Sequence, residues 1–289
     1  MLSSASEYRP GGVMMQHDYA VKLYLDEDGK KNETEVDWPV LVCVLGGFRL
    51  IQAGRTVLVP NGGKTELLLS LLALHAGRGV SRENLLGLLW PNHEPALAGQ
   101  SLNSLVYSLR KQFAPTLEGT GLVQHLDGCY RLNQEAGVQT DLACFEDLVR
   151  QGHQQSRQGC CEAAMTVYSQ AVDIYQGDLW LSLDTYALTE RERLRAIYLT
   201  LLARLADHCY SQDAYAPCLD YARRLLSSDP CREDAHRLLM RCYVRQGERA
   251  QALRQYQLCT EILRAEFSTT PEPATTALFE HIRLDPDAV

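Results

Sequence analysis

Two stretches in the second half of the chain superpose with a shift of 35 residues, which sets Cys218 on Leu253 and Tyr221 on Tyr256. The first reads AYAPCLDYARRLLSSDP and the second RAQALRQYQLCTEILRAEF. Each is preceded by a segment, LLARLADHCYSQ or AHRLLMRCYVRQG, with apolar residues at helical spacing. A repeated helix pair cannot bury its apolar faces alone, so the pairs have to stack side by side. That requirement fixes the architecture of half the chain before any other residue is considered.

A period near 34 with small residues, tyrosines and a closing proline is the signature of tetratricopeptide helix pairs. An earlier helix, Cys161 to Tyr175 with Ala163, Ala164, Tyr168 and Ala171, reads as the second half of another pair, and Thr189 to Arg195 opens the helix after it. The tyrosines at 168, 221, 243 and 256 are expected to pack between repeats. Such arrays leave a concave face for partners.

Upstream the pattern differs. Residues 1 to 37 are polar, with one short strand possible at Ala20 to Leu25. VLVCVL from Val40, then Phe48 to Ile51, then Thr56 to Val59 read as a small antiparallel sheet. After Pro60-Asn61-Gly62-Gly63 come three helices. The first carries Leu67, Leu68, Leu71, Leu72 and Leu74; the second is capped by Ser81 and ends at Trp90-Pro91; the third runs from near Pro95 to about Ala114.

The third helix and the hairpin after it carry the functional reading. Leu102, Leu105, Val106, Leu109 and Phe113 fall on one side and Asn103, Ser104, Tyr107, Arg110 and Lys111 on the other. An outward face of amides, hydroxyls and cations suits DNA reading, and Asn103 or Gln100 is suited to a bidentate contact with adenine. An amphipathic helix facing water is the plainer reading of the same pattern. The next apolar stretch, LVQHLDGCYRL, is the hairpin, turning at Asp127-Gly128. Sheet, three helices and hairpin, in that order, describe a winged helix.

Charge bears on this. The chain sums to −8, but residues 1–37 hold 4 basic and 8 acidic groups, 38–137 hold 8 and 6, and 138–289 hold 16 and 22. The only positive part is the one with the third helix. Gly62-Gly63-Lys64-Thr65 lacks the earlier glycine of a phosphate-binding loop, where Leu58 stands, so Lys64 reads as a solvated helix-start residue available to a DNA backbone. None of the 10 cysteines forms a C-x-x-C pair and the 8 histidines are scattered, which argues for reduced, buried cysteines and for no metal, cofactor or catalytic site. No apolar run spans a membrane, and a soluble cytoplasmic protein is expected.

With these segments in place, the order LGGFRL, GRTVLVP, GGKTELLLSLLALHAGRGVSRENLLGLLWP, ALAGQSLNSLVYSLRKQF, GCYRL and TDLACFEDLV resembles the Streptomyces antibiotic regulatory protein type of transcriptional activator, over about residues 40 to 283. That resemblance implies a mostly α fold with a small antiparallel β part: an OmpR-like winged helix-turn-helix domain over 38–137, then an all-α tetratricopeptide-like bacterial transcriptional activation domain over 138–289. It further implies that Asn103, Ser104, Tyr107 and Ser108 face bases, that Arg110 and Lys111 form the basic pair near the helix end, that Arg131 belongs to the wing and that Arg82 meets phosphate. Related helices more often carry Arg or Lys where this chain has Tyr107 and Ser108. The expected partners are double-stranded DNA, bound as a homodimer, and RNA polymerase or another protein on the helical domain. The competing expectation, favoured by the acidic net charge, is a protein-interaction adaptor whose winged helix no longer binds DNA.

Overall fold

A computed structural model describes residues 38–59, 62–181 and 185–284. The strand expected at Ala20 to Leu25 lies outside the described residues, as do Pro60 and Asn61.

Strands β1 (Val40–Cys43), β2 (Arg49–Gln52) and β3 (Arg55–Val57) form the expected antiparallel meander, with Val42 opposite Leu50 and Leu50 opposite Val57. Helices α1 (Gly63–Leu74), α2 (Arg82–Leu89) and α3 (Pro95–Phe113) come next, and β5 (Val123–Leu126) and β6 (Cys129–Leu132) make the hairpin. Two strands had no counterpart in the sequence reading. β4 (Val80–Ser81), just before α2, adds to β6, and β7 (Val138–Thr140) pairs in parallel with β1. Because β1 is sandwiched, both of its faces are apolar: Val40 and Val42 join the main core, while Leu41 and Cys43 pack with Cys144 and Ile174 of the helical half.

Among the described residues seven helices follow: α4 (Asp141–Arg157), α5 (Cys161–Ile174), α6 (Thr185–Ser211), α7 (Tyr215–Ser228), α8 (Glu233–Arg245), α9 (Arg249–Phe267) and α10 (Pro273–Leu284). They pack as successive antiparallel pairs. Thr189 to Arg195 lies in the opening turns of α6, as expected, and that helix runs unbroken from Thr185 through the segment LLARLADHCYS. One detail departs from expectation. The repeat shift is 34 rather than 35: α7 starts at Tyr215 and α9 at Arg249, and the turns before them are superposable, with Asp213 and Gly247 both at positive φ and Ala214 N–H and Glu248 N–H donating to Cys209 O and Tyr243 O. Buried Cys218 then matches buried Ala252, and Leu225 matches Cys259.

The sheet and the helical array are joined at Asp141, the first residue of α4. Its carboxylate accepts from Val44 N–H at 2.9 Å through both oxygens and from Leu45 N–H at 2.9 Å. Burial outweighs those amide contacts and raises its pKa to about 6. Close by, Gly46 N–H donates to Asp178 O at 3.0 Å and Trp180 N–H to Val44 O at 3.0 Å. One continuous core therefore runs from Val40 to Ala235. The cysteines are all free; Cys43, Cys144, Cys218, Cys242 and Cys259 are buried as expected, whereas Cys160 and Cys161 are exposed at the start of α5 and correct that expectation for their positions. Among the described residues no helix is long and apolar enough to cross a membrane.

Candidate nucleic-acid interface

α3 starts with Pro95 at its first turn, where the missing N–H costs nothing, and carries no acidic residue along its length. Leu102, Leu105, Leu109 and Phe113 are buried. Gln100, Asn103, Ser104, Tyr107, Arg110 and Lys111 are exposed, Tyr107 by 69%, and Ser108 is half-buried. Ser104 Oγ donates to Gln100 O at 3.0 Å, which ties up its proton and leaves an oxygen turned outward as an acceptor. Arg110 and Lys111 lie in the last turn, where the helix dipole favours positive charge.

Arg82, at the start of α2, joins this helix to the hairpin. Its Nη1 donates to Asn103 Oδ1 at 3.1 Å and to Tyr130 OH at 2.8 Å, and its Nη2 donates to Gly99 O at 3.3 Å. The approach depends on Gly99 having no side chain: a Cβ there would stand 2.8 Å from Arg82 Nη2. Gly99 and buried Tyr130 thus belong to the site although the sequence reading passed over them; the one local hint was a glycine inside a helical pattern. Ser81 caps α2 by accepting from Asn84 N–H at 3.3 Å, which sets the first turn that carries Arg82.

The hairpin turns at Asp127 and Gly128, both with positive φ (52° and 75°), as a two-residue turn between right-twisted strands requires. Its tip is exposed. Arg131 sits further back, half-buried beside Gln124 of β5, with its stem across Gly79. Among the described residues none of Arg82, Arg110, Lys111 and Arg131 lies within 4 Å of a carboxylate, whereas the ion pairs of the molecule gather in the helical half, from Glu146 onward. Lys64 is exposed at the start of α1, as expected of a solvated helix-start residue, and its Nζ also donates to Leu89 O, at the end of α2, and lies 5.9 Å from the centre of the Trp90 ring.

Residues 140–283 match the Bacterial transcriptional activator domain family. Regulatory protein AfsR of Streptomyces coelicolor is 28% identical over 240 residues, which cover 83% of this chain and 24% of AfsR. Regulatory protein DnrI of Streptomyces peucetius is 25% identical over 236 residues, which cover 79% of this chain and 85% of DnrI. The chain thus spans about a quarter of AfsR and most of DnrI. The solved structure of Mycobacterium tuberculosis EmbR in complex with a low affinity phosphopeptide shares the fold, with a TM-score of 0.65 at 22% identity over 86% of this chain and 67% of that one. Over residues 140–283 this chain carries a bacterial transcriptional activator domain, and along most of its length it is a homologue of the Streptomyces regulatory proteins AfsR and DnrI.

Proposed function

We propose that the chain is a sequence-specific DNA-binding activator of transcription acting in the cytoplasm, with no catalytic role. Residues 38–137 form the DNA-binding domain and 138–289 the domain that contacts RNA polymerase or another protein. The observation that carries the reading is the exposed face of α3, which holds no carboxylate and lies beside a hairpin whose one carboxylate, Asp127, stands at the tip. On it, Gln100, Asn103, Ser104, Tyr107 and Ser108 face bases, and Arg82, Arg110, Lys111 and Arg131 hold the phosphate backbone. One such helix reads too few base pairs for genomic specificity, so two copies bind adjacent half-sites.

The test is filter binding to promoter fragments over a series of salt concentrations. Each phosphate contact contributes about −0.9 to the slope of log K against log salt, so Arg110→Ala with Lys111→Ala should flatten the slope by roughly 2 and weaken binding to all sequences alike. Salt-independent binding, or a double variant identical to the parent, refutes the DNA reading. In that event the acidic net charge of −8, and the engagement of Arg82 with Asn103 inside the fold, favour a protein-interaction adaptor built on the helical domain.

A further inference from the structure

The helical half is acidic in sum, with 16 basic and 22 acidic residues over 138–289, yet the charged residues that line one groove on it are mainly basic. Between α4 and α6, the first helices of successive pairs, lies an open groove of about 720 Å³ whose lining includes Arg150, Arg157, His153 and Arg193 against a single carboxylate, Glu146. It continues past His153 into a second hollow of about 290 Å³ with Ala196 and Ile197 on its floor. Arg193 is fixed in place by Glu146 across the groove and by Glu190 on its own helix. Arg150 pairs with Asp147, whereas among the described residues neither Arg157 nor Arg204 has a carboxylate within 4 Å. Arg204 is instead held against Tyr168, its Nη1 donating to the hydroxyl at 3.2 Å. Burial first, and then the charges of Arg204 and Arg157, keep His153 below the usual imidazole range.

We propose that this groove binds an acidic, amphipathic peptide segment of a partner protein, with its carboxylates on Arg150 and Arg157 and its apolar side chains on Ala196 and Ile197. The proposal rests on the reading of the helical domain as the protein-binding part of a regulator, and it adds where and what that domain binds. The apolar floor decides between anionic partners. A phosphate backbone has no apolar face to cover Ala196 and Ile197, whereas an amphipathic helix laid in a groove has. The local excess of positive charge in an otherwise acidic domain supplies the complementarity that steers such a segment to this face and away from the rest.

The experiment uses the full chain and a short fluorescein-labelled helical peptide with one Leu face and one Glu face, monitored by anisotropy at low and moderate salt. Binding should weaken with salt, and a peptide with Lys in place of Glu should not bind. Arg150→Glu with Arg157→Glu should weaken binding about tenfold, equivalent to about 1.4 kcal/mol, with the circular dichroism spectrum unchanged. Ile197→Ser should weaken it as well. Equal affinity of parent and charge-reversed chains, or no binding of the Glu-faced peptide, overturns the proposal. So does a charge-reversed chain that loses promoter binding while keeping the peptide, because the groove then serves nucleic acid. A parent chain that binds the peptide but shifts no promoter fragment upholds the groove and refutes the DNA reading alone.

Discussion

The contact of Arg82 with α3 and the hairpin can be broken without touching a charge, by Gly99→Ala. An ideal Cβ at position 99 would meet Arg82 Nη2 at 2.8 Å and nothing else closer than Arg82 Cζ at 3.8 Å. The guanidinium can rotate away, so the steric clash itself is cheap. The cost is the loss of hydrogen bonds to Asn103 Oδ1, Tyr130 OH and Gly99 O. A hydrogen bond to a charged group is worth about 1.5–3 kcal/mol when buried, and Arg82 is only half-buried, so about 2 kcal/mol for the set is a reasonable total. Against this, Ala in place of Gly within a helix gains about 1 kcal/mol. In the parent, Gly99→Ala should therefore destabilise by about 1 kcal/mol. In an Arg82→Ala background, where no guanidinium stands in the way, the same change should stabilise by about 1 kcal/mol. The sign reversal is the point of the test. A double-mutant cycle measured by urea denaturation should give a coupling energy near 2 kcal/mol. If Gly99→Ala is equally stabilising in both backgrounds, Arg82 does not bridge α3 and the hairpin in solution. Promoter affinity measured on the same four proteins asks whether the bridge also orients Asn103: Gly99→Ala, which keeps every charge, should then weaken binding beyond what its stability change accounts for.

Asp141 makes a pH prediction whose sign differs from that of an exposed carboxylate in an ion pair. Its pKa is raised from 3.8 to about 6 in the folded chain, so between those values the native state holds more protons than the unfolded one, and stability should fall as pH rises through that window and then level off. Asp141→Asn should flatten the difference between denaturation curves at pH 4.5 and pH 6.5, by up to about 2 kcal/mol; an unaltered difference would mean that the carboxyl is not buried at the junction. In the first helix pair, a Cβ at Gly152 would stand 2.4 Å from Tyr168 Cε1, inside a side chain that is fully buried. Gly152→Ala should thus destabilise by about 1–3 kcal/mol despite its better helix propensity, and a raised melting temperature would refute the close packing of α4 on α5.

What was legible in the sequence was whatever depends on near neighbours along the chain. The lengthening of the period after Val59, the Pro95 start of α3, the Ser81 cap and the Asp127-Gly128 turn each state their structure within a few residues. Strands of 2 and 3 residues such as Val80–Ser81 and Val138–Thr140 do not, since a period cannot be read from so few positions and their existence depends on partners found elsewhere in the chain. The repeat shows the same limit. Aligning Tyr221 with Tyr256 gave a shift of 35, but the structure matches Ala222 with Tyr256, because what recurs every 34 residues is the turn geometry and the burial, which residues of different size can share. The candidate site divides along this line too. The outward stripe of α3 was readable from spacing, but the engagement of its residues was not: Lys64 is bound to Leu89, and Arg82 to Tyr130, across 25 and 48 residues of chain. Arg82 and Asn103 were chosen separately, one for phosphate and one for bases, and in the fold they hold each other. The shared hydrogen bond occupies one lone pair of Asn103 Oδ1 and leaves its amide N–H groups and the second lone pair free, so a bidentate adenine contact can form without breaking it. Arg82→Lys tests this economy: it keeps the positive charge for phosphate but lacks the fork that reaches Asn103 and Tyr130 together, so it should lower discrimination between operator and mutated operator more than it lowers non-specific affinity. Equal loss on both would make Arg82 a phosphate contact and nothing more.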